Sequence, residues 1–138
     1  MADFISIIEV VMQEQGKKID GLFIDNVISK DTFYKYKKRN PSLKTLLKIA
    51  NYLRVSIDYM YEFSNENNFI PYDTNHLNFY NNLINLLTLR RISNRKFCKE
   101  LHYAKDNILR YKKGVEPSLR TLLEIANYLH CSIDDLLK

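Results

Sequence analysis

Two short segments concentrate the basic side chains of this 138-residue chain. Residues 104–113 contain four basic groups and one acidic group, and residues 29–39 contain five basic groups and one acidic group. Lysine, arginine and asparagine are the residue types that hydrogen-bond to phosphates and base edges. A run of charges is usually only the solvated face of a helix. Because an excess of basic charge, +3 and +4, recurs in the two segments, that interpretation is weaker here than usual, but a basic helix alone does not establish a binding surface.

Two cysteines and two histidines lie at spacings that a metal ion could use. Cys98 and His102 are four residues apart, about one helical turn, and His130 is followed directly by Cys131. Adjacent side chains at a helix end cannot easily point at one ion, and Cys131 aligns with the apolar Val55 in the repeat described below. We therefore predict no metal site.

The chain offers no residue pattern typical of an active site. No Ser-His-Asp or Cys-His nucleophile set stands out, and no pair of carboxylates lies in an evident pocket. The three glycines, Gly16, Gly21 and Gly114, are too far apart to form a loop that holds a nucleotide phosphate. The sequence predicts that the protein is not an enzyme and has neither catalytic residues nor a cofactor.

Composition and termini limit the partners and the compartment. The 21 basic and 16 acidic residues give a net charge of +5, which permits an anionic partner without requiring one. No apolar run approaches the roughly 18 residues of a membrane span. The acidic start Met1-Ala2-Asp3 differs from the basic start of a signal peptide, and two cysteines are too few for a disulfide framework. We expect a cytoplasmic protein without a membrane partner.

The chain contains an internal repeat. Residues 41–58 and 117–134 are identical at 14 of 18 positions, and the similarity continues upstream with a one-residue slip before each proline. A polar stretch without periodicity separates the copies. The sequence therefore predicts two domains, 1–63 and 74–138, joined by a linker over residues 64–73.

Both copies show the periodicity of short amphipathic helices, which predicts an all-α fold with five helices per copy. The predicted helices of the first copy are 3–15, 19–27, 30–38, 42–53 and 56–63. In the second copy, the predicted second and third helices are 94–101 and 105–113, and Gly114 ends the third in a left-handed conformation. The predicted N-caps of the second copy are Asp73 or Thr74, Ser93, Ser118 and Ser132.

The first helix of the first copy is unusually apolar. Seven of the nine residues from Phe4 to Met12 are hydrophobic, so they cover more than one face of the helix. One interpretation is a helix that packs in the core and carries more apolar residues than that packing needs. We favour the other, in which the second face packs against the other repeat or another chain.

The repeated unit resembles the helix-turn-helix domains of the Cro and lambda-type repressor (Xre-like) family. The resemblance depends on a capped helix, a short turn, a second helix ending in Tyr-Lys-Lys-Gly, and the motif Pro-Ser-Leu-x-Thr-Leu-Leu-x-Ile-Ala. It covers Leu83 to Leu137 and about Ile8 to Tyr61, and it implies two tandem five-helix domains of the lambda-repressor type.

In that family the third helix lies in the major groove of double-stranded DNA. The resemblance implies base contacts from Lys105, Asp106, Asn107 and Arg110 in the second copy, and from Lys30, Asp31, Thr32 and Lys35 in the first. It implies phosphate contacts from Asn94, Lys112, Lys113, Lys37, Lys38 and Arg39. Asp106 and Arg110 are four residues apart and therefore share a helix face.

The first copy departs from the family pattern. The glycine usual in the turn between helices two and three is replaced by His102 in the second copy and aligns with Val27 in the first. Valine tolerates a left-handed conformation poorly. Gly21 weakens the predicted second helix of the first copy by about 1 kcal/mol relative to alanine. This copy could be a degenerate reader.

The sequence predicts a sequence-specific DNA-binding transcriptional regulator that reads the major groove with tandem helix-turn-helix domains. The pair could act as an intramolecular pseudo-dimer on half-sites about one helical turn (~34 Å) apart, or as a homodimer through the first helix of the first copy. The alternative is a protein-interaction module, such as an antirepressor, that keeps the fold without specific DNA binding. Tyr34 and Leu109, apolar at positions that are usually polar in the family, favour this alternative.

Overall fold

The computed structural model describes residues 3–75 and 77–138. Met1 and Ala2, at the start of the predicted first domain, and His76, near the predicted start of the second, lie outside the described residues. The chain divides into two compact units, Met1–Thr74 and Asn75–Lys138. Within the described ranges it forms helices and no strand, which confirms the all-α prediction.

The first unit contains α1 to α5. Their bounds are Phe4–Glu14, Asp20–Ile24, Lys30–Lys35, Leu43–Leu53 and Ile57–Met60. The second unit contains α6 to α10. Their bounds are Phe79–Leu89, Asn94–Glu100, Asn107–Lys112, Leu119–Leu129 and Ile133–Leu137.

The fourth helix of each unit carries its most buried residues. Leu46 and Ile49 of α4 and their aligned counterparts Leu122 and Ile125 of α9 are fully buried. Aromatic rings join the flanking helices to one another. In the second unit, Phe79 of α6 meets Tyr111 of α8 edge to face with ring centroids 4.9 Å apart. In the first unit, Phe4 of α1 meets Tyr36 with centroids 5.5 Å apart.

Serine hydroxyls cap several helices in each unit. The predicted caps Ser93, Ser118 and Ser132 each accept a hydrogen bond from a backbone N–H in the first turn of α7, α9 and α10. Ser29 and Ser42 do the same for α3 and α4. A hydroxyl at this position satisfies a backbone donor that has no partner inside the helix, so the caps fix where each helix begins.

Helix α6 starts later than predicted. Its N-cap is Asn78, which makes no side-chain capping bond, and the helix begins at Phe79. Asp73 and Thr74 therefore do not cap it.

Residues 64–73, predicted to be a linker, fold against the first unit. Tyr72 is only 5 % exposed, and its hydroxyl accepts a hydrogen bond from the Ile57 N–H at 2.9 Å. The Asn51 side chain both donates to the Tyr72 carbonyl and accepts from the Tyr72 N–H, at 3.0 and 2.8 Å. Side-chain amide pairing of this kind leaves no periodic signal in a sequence, so the segment could not be assigned to the first unit in advance.

Helix α1 buries one of its two apolar faces within the first unit. Ile8 and Met12 are buried, whereas Val10 is 54 % exposed and Ile7 is half-buried. Ile7 and Val10 line a groove of about 800 Å³, with Tyr59, Met60 and other residues at the end of α5. Within the described part of this unit, Val10 therefore stays mostly uncovered and Ile7 is covered only in part.

Candidate nucleic-acid interface

Buried side chains attach helices α7 and α8 to the core of the second unit. Phe97 and Cys98 of α7 and Ile108 and Tyr111 of α8 are buried. Phe97 also meets Tyr103, in the turn between these helices, with ring centroids 5.8 Å apart. The polar residues lie on the opposite sides of the two helices. They therefore face solvent while the packing of the buried side chains fixes the helices that carry them.

The turn between α7 and α8 depends on a left-handed residue. His102 has φ of +58°, and the N–H of the next residue, Tyr103, donates to the Cys98 carbonyl at 2.8 Å. This matches the prediction that His102 takes the usual glycine position. Histidine tolerates a positive φ better than bulky β-branched residues do.

Helix α8 begins two residues later than predicted. Ala104 has no side-chain oxygen to cap a helix, so Lys105 and Asp106 lie in a turn and α8 starts at Asn107. In the first unit Ser29 occupies the aligned position, and its hydroxyl accepts from the Thr32 N–H at 3.2 Å. Helix α3 accordingly begins at Lys30, as predicted.

Three of the four predicted base-contacting side chains of the second unit are exposed. They are Lys105, Asp106 and Arg110. Arg110 Nε lies 3.3 Å from Asp106 Oδ2, so the two side chains form an ion pair on one side of α8. Asn107 is half-buried and hydrogen-bonds to the Tyr111 hydroxyl, so part of its side chain is engaged within the unit.

The predicted phosphate-contacting residues of the second unit are all exposed. Asn94 is the first residue of α7, and Lys112 and Lys113 lie at the C-terminal end of α8. The structure adds basic residues that the sequence analysis missed on α7, where Arg95 and Lys96 directly follow Asn94 and are exposed. The sequence contained a pattern that could have identified Arg95 and Lys96, because basic residues that follow a serine N-cap lie on the outer face of the helix that the serine caps.

The exposed basic surface of the second unit extends from the end of α6 to the end of α8. Residues 90–116 contain nine basic and three acidic side chains. All nine basic side chains are exposed: Arg90, Arg91, Arg95, Lys96, Lys99, Lys105, Arg110, Lys112 and Lys113. We call this set the basic face. Its charge suits a polyanionic partner.

The first unit presents a different surface at the same elements. Lys30, Asp31 and Lys35 of α3 are exposed, whereas Thr32 is half-buried and its hydroxyl accepts from Ser29 at 2.7 Å. The predicted phosphate-contacting residues Lys37, Lys38 and Arg39 are exposed after the helix. Five basic residues of this unit therefore lie on and directly after α3.

Helix α2 contributes no basic residue to that surface. Asp20 places an acidic group in its first turn, and Ile24 near its end is 76 % exposed. The half-buried ring of Phe23 lies 6.2 Å from that of Tyr34, which is 38 % exposed. Phe23, Ile24 and Tyr34 form an apolar surface that we call the aromatic patch.

The turn of the first unit is shifted by one residue relative to the sequence alignment. The left-handed residue is Asn26, with φ of +55°, and not Val27, which the alignment places at the usual glycine position. Val27 is buried instead, and its N–H donates to the Leu22 carbonyl at 2.9 Å. Because α2 ends at Ile24, the chain turns at asparagine, which adopts a left-handed conformation at little cost.

No group of metal-ligating residues occurs among the residues that the structure describes. Cys98 is buried, and burial raises the pKa of its thiol, which disfavours the thiolate needed for metal ligation or nucleophilic attack. Likewise, no helix in the described ranges is long and apolar enough to cross a membrane.

Residues 82–138 match the family model of the Cro/C1-type helix-turn-helix DNA-binding domain. The match includes the basic face of α7 and α8, and it indicates a DNA-binding regulator. It confirms the resemblance for the second copy, whereas residues 1–81 lie outside the match and the resemblance of the first copy stays a prediction. No curated protein and no solved structure matches the chain.

Proposed function

We propose that this protein is a sequence-specific regulator that binds double-stranded DNA, with α8 of the second unit in the major groove. The observation that carries the proposal is the coincidence of the matched domain, residues 82–138, with the basic face. A helix-turn-helix domain inserts its second helix into the major groove while the preceding helix crosses the phosphate backbone. The charges of α7 and α8 are distributed in the way that this docking requires.

Each candidate residue has a role that its chemistry supports. Arg110 and Lys105 can donate to guanine O6 and N7, and Asn107 can pair with adenine. Lys112, Lys113 and Asn94 contact phosphates, and Arg95 joins them because it is exposed beside Asn94. Phosphate contacts of this kind supply affinity that does not depend on sequence.

The first unit is proposed as a second reader that binds more weakly. Lys30, Asp31, Thr32 and Lys35 would approach bases, and Lys37, Lys38 and Arg39 would approach phosphates. The absence of basic residues from α2 and the presence of Asp20 in its first turn reduce the attraction for phosphate at the element that crosses the backbone. The tandem arrangement would then read two unequal half-sites on one duplex.

Association of two chains is a further part of the proposal. The groove beside α1 is lined by Ile7 and Val10, whereas the aligned residues of the second unit are the amides Asn82 and Asn85. Asn82 donates to the Leu136 carbonyl at 3.1 Å within its own unit. An apolar surface confined to one unit supports homodimerisation through the first unit rather than through both.

The experiment that tests DNA reading is selection of bound duplexes from a random pool, followed by a salt titration on a selected duplex and an unselected one. We expect enrichment of a motif and a steep loss of affinity with salt on both duplexes, with the selected duplex bound more tightly throughout. Undetectable binding at low salt would overturn the proposal.

A second candidate function rests on the aromatic patch of the first unit. Apolar groups exposed on α2 and α3 suit contact with a protein, and Ile24 is the most exposed member of the patch. In this interpretation the chain is a protein-interaction module that no longer needs specific DNA. The same selection separates the two functions, because a module of this kind would enrich no motif.

A further inference from the structure

Asp106 stands at the N-cap of α8 but does not cap it. Its side chain makes no hydrogen bond to the first turn of the helix, unlike Ser93 and Ser118, which cap the neighbouring helices α7 and α9. The carboxylate lies instead 3.3 Å from Arg110 Nε. The side chains of Asp106 and Arg110 are 53 % and 63 % exposed, so little of their contact is protected from solvent. An exposed pair of this kind contributes little to folding.

The nitrogen through which Arg110 contacts Asp106 determines which of its other nitrogens can still bind a base. The closest contact uses Nε, on the edge of the guanidinium nearest the helix. The two terminal nitrogens of a guanidinium can form a bidentate pair with guanine O6 and N7. A carboxylate on Nε therefore orients the plane of the group and leaves its far end available for a base.

We propose that Asp106 is a positioning residue that orients Arg110 toward guanine, and that it is not itself a base contact. This inference rests on the proposed DNA reading by the second unit. Holding Arg110 before binding lowers the ordering cost of the specific contact. The negative charge of Asp106 meanwhile repels phosphates, so it weakens binding to all sequences equally. Asp106 thus improves discrimination while reducing non-specific affinity.

The first unit has the same spacing without the same pair. Asp31 and Lys35 align with Asp106 and Arg110, yet no ion pair joins them among the described residues. Lysine also lacks the planar fork that matches guanine. The guanine preference is accordingly assigned to the half-site of the second unit alone.

The test is selection from a random pool with the full chain, followed by affinity measurements on the selected duplex and on variants of it with one base pair changed. Asp106→Asn and Arg110→Lys are compared with the wild type. The matched control is Arg120→Lys, because Arg120 Nε and Glu124 Oε1 form an ion pair of the same spacing and the same 3.3 Å length on α9. Glu124 is left unchanged because its carboxylate also accepts a hydrogen bond from Tyr103, in the turn before α8. Circular dichroism checks that every variant is folded.

We expect the wild type to prefer guanine at one position and Arg110→Lys to lose about 5-fold or more of that preference. Asp106→Asn should reduce the preference at the same position while binding an unselected duplex as tightly as the wild type or more tightly. The control should keep the wild-type preference.

Three results would overturn the inference. The guanine preference could be unchanged in Asp106→Asn, or that variant could lose discrimination at a cytosine position while guanine is still read, which would make Asp106 a base contact. In both cases the proposed DNA reading stands. A wild-type chain that enriches no motif would overturn the proposed function together with the inference.

Discussion

Tyr128 on α9 donates a hydrogen bond to Glu100 at the C-terminal end of α7, at 2.5 Å. The first unit repeats this relationship, since Tyr52 on α4 donates to Asp25 directly after α2. In both units the bond connects the buried fourth helix to the end of the helix that precedes the turn. The orientation of the turn, and therefore of the helix proposed to read DNA, is tied to the core through this contact.

The bond should be visible in the titration of Tyr128. Hydrogen bonding to the Glu100 carboxylate raises the pKa of Tyr128 to about 12, because the anion stabilises the protonated phenol and repels the phenolate. We expect Glu100→Gln to lower that pKa toward the ordinary value of about 10. Tyrosinate absorbance measured against pH checks this, and Tyr128→Phe should remove the same step. A titration curve unaffected by Glu100→Gln would contradict the assignment.

The same shift makes the contribution of this bond to stability depend on pH. The pKa in the folded chain lies above that in the unfolded chain, so the contribution is complete below about pH 10 and is lost as the pH rises through about 12. Urea unfolding at a series of pH values should therefore show the difference between wild type and Tyr128→Phe shrinking above about pH 10. A difference that grows over that range would have the wrong sign.

The left-handed turn residues give a prediction about backbone strain. His102 is exposed and has φ of +58°, so replacing it tests conformation with little change in packing. We expect His102→Val to lower the free energy of unfolding by about 1–2 kcal/mol, and His102→Gly to leave it unchanged or raise it. Urea unfolding measures both variants. Equal losses in the two would indicate that the imidazole itself, and not the backbone conformation, is what matters.

The sequence predicted those parts of the fold in which a side chain determines the backbone conformation of its own neighbours in the chain. Ser93, Ser118 and Ser132 cap their helices as the sequence predicted, because a hydroxyl bonds within its own first turn. The turn at Asn26 was misplaced by one residue, because alignment to the second copy ignored the early end of α2. An alignment of the two copies therefore does not reveal that the second helix is shorter in the first copy than in the second.

The candidate site shows the same limit. Exposure of Lys105, Arg110, Lys112 and Lys113 followed from periodicity and from the resemblance. The ion pair between Asp106 and Arg110 could not be predicted from the sequence. Their spacing places both side chains on one helix face but does not determine which group each one contacts. The absence of such a pair between Asp31 and Lys35, in the described part of the first unit, could not be predicted either, because the two spacings are identical.

The apolar groove of the first unit predicts the outcome of a charge introduced into it. Val10 is 54 % exposed on α1, so Val10→Glu should leave the unit folded while placing a carboxylate in any interface between two chains. We expect this variant to shift a homodimer to monomer in light scattering after size exclusion. The matched control is Asn85→Glu at the aligned exposed position of α6. Equal effects of the two substitutions, or a monomeric wild type, would count against dimerisation through the groove.

The last prediction compares the two units through the salt dependence of DNA binding. Each phosphate contact that is lost reduces the slope of log affinity against log salt by about 0.9. If Lys112 and Lys113 both contact phosphate, Lys112→Ala with Lys113→Ala should reduce the slope by about 2 and weaken selected and unselected duplexes alike.

The matched variant, Lys37→Ala with Lys38→Ala, changes the aligned pair of the first unit. We expect it to reduce the slope by less, because α2 places Asp20 where α7 places Arg95 and so holds the phosphate backbone more weakly. Lys37 also lies 5.5 Å from the centre of the Tyr34 ring, which competes for its charge. An equal reduction by the two pairs would mean that both units engage the duplex to the same extent, and that the aromatic patch does not set the first unit apart.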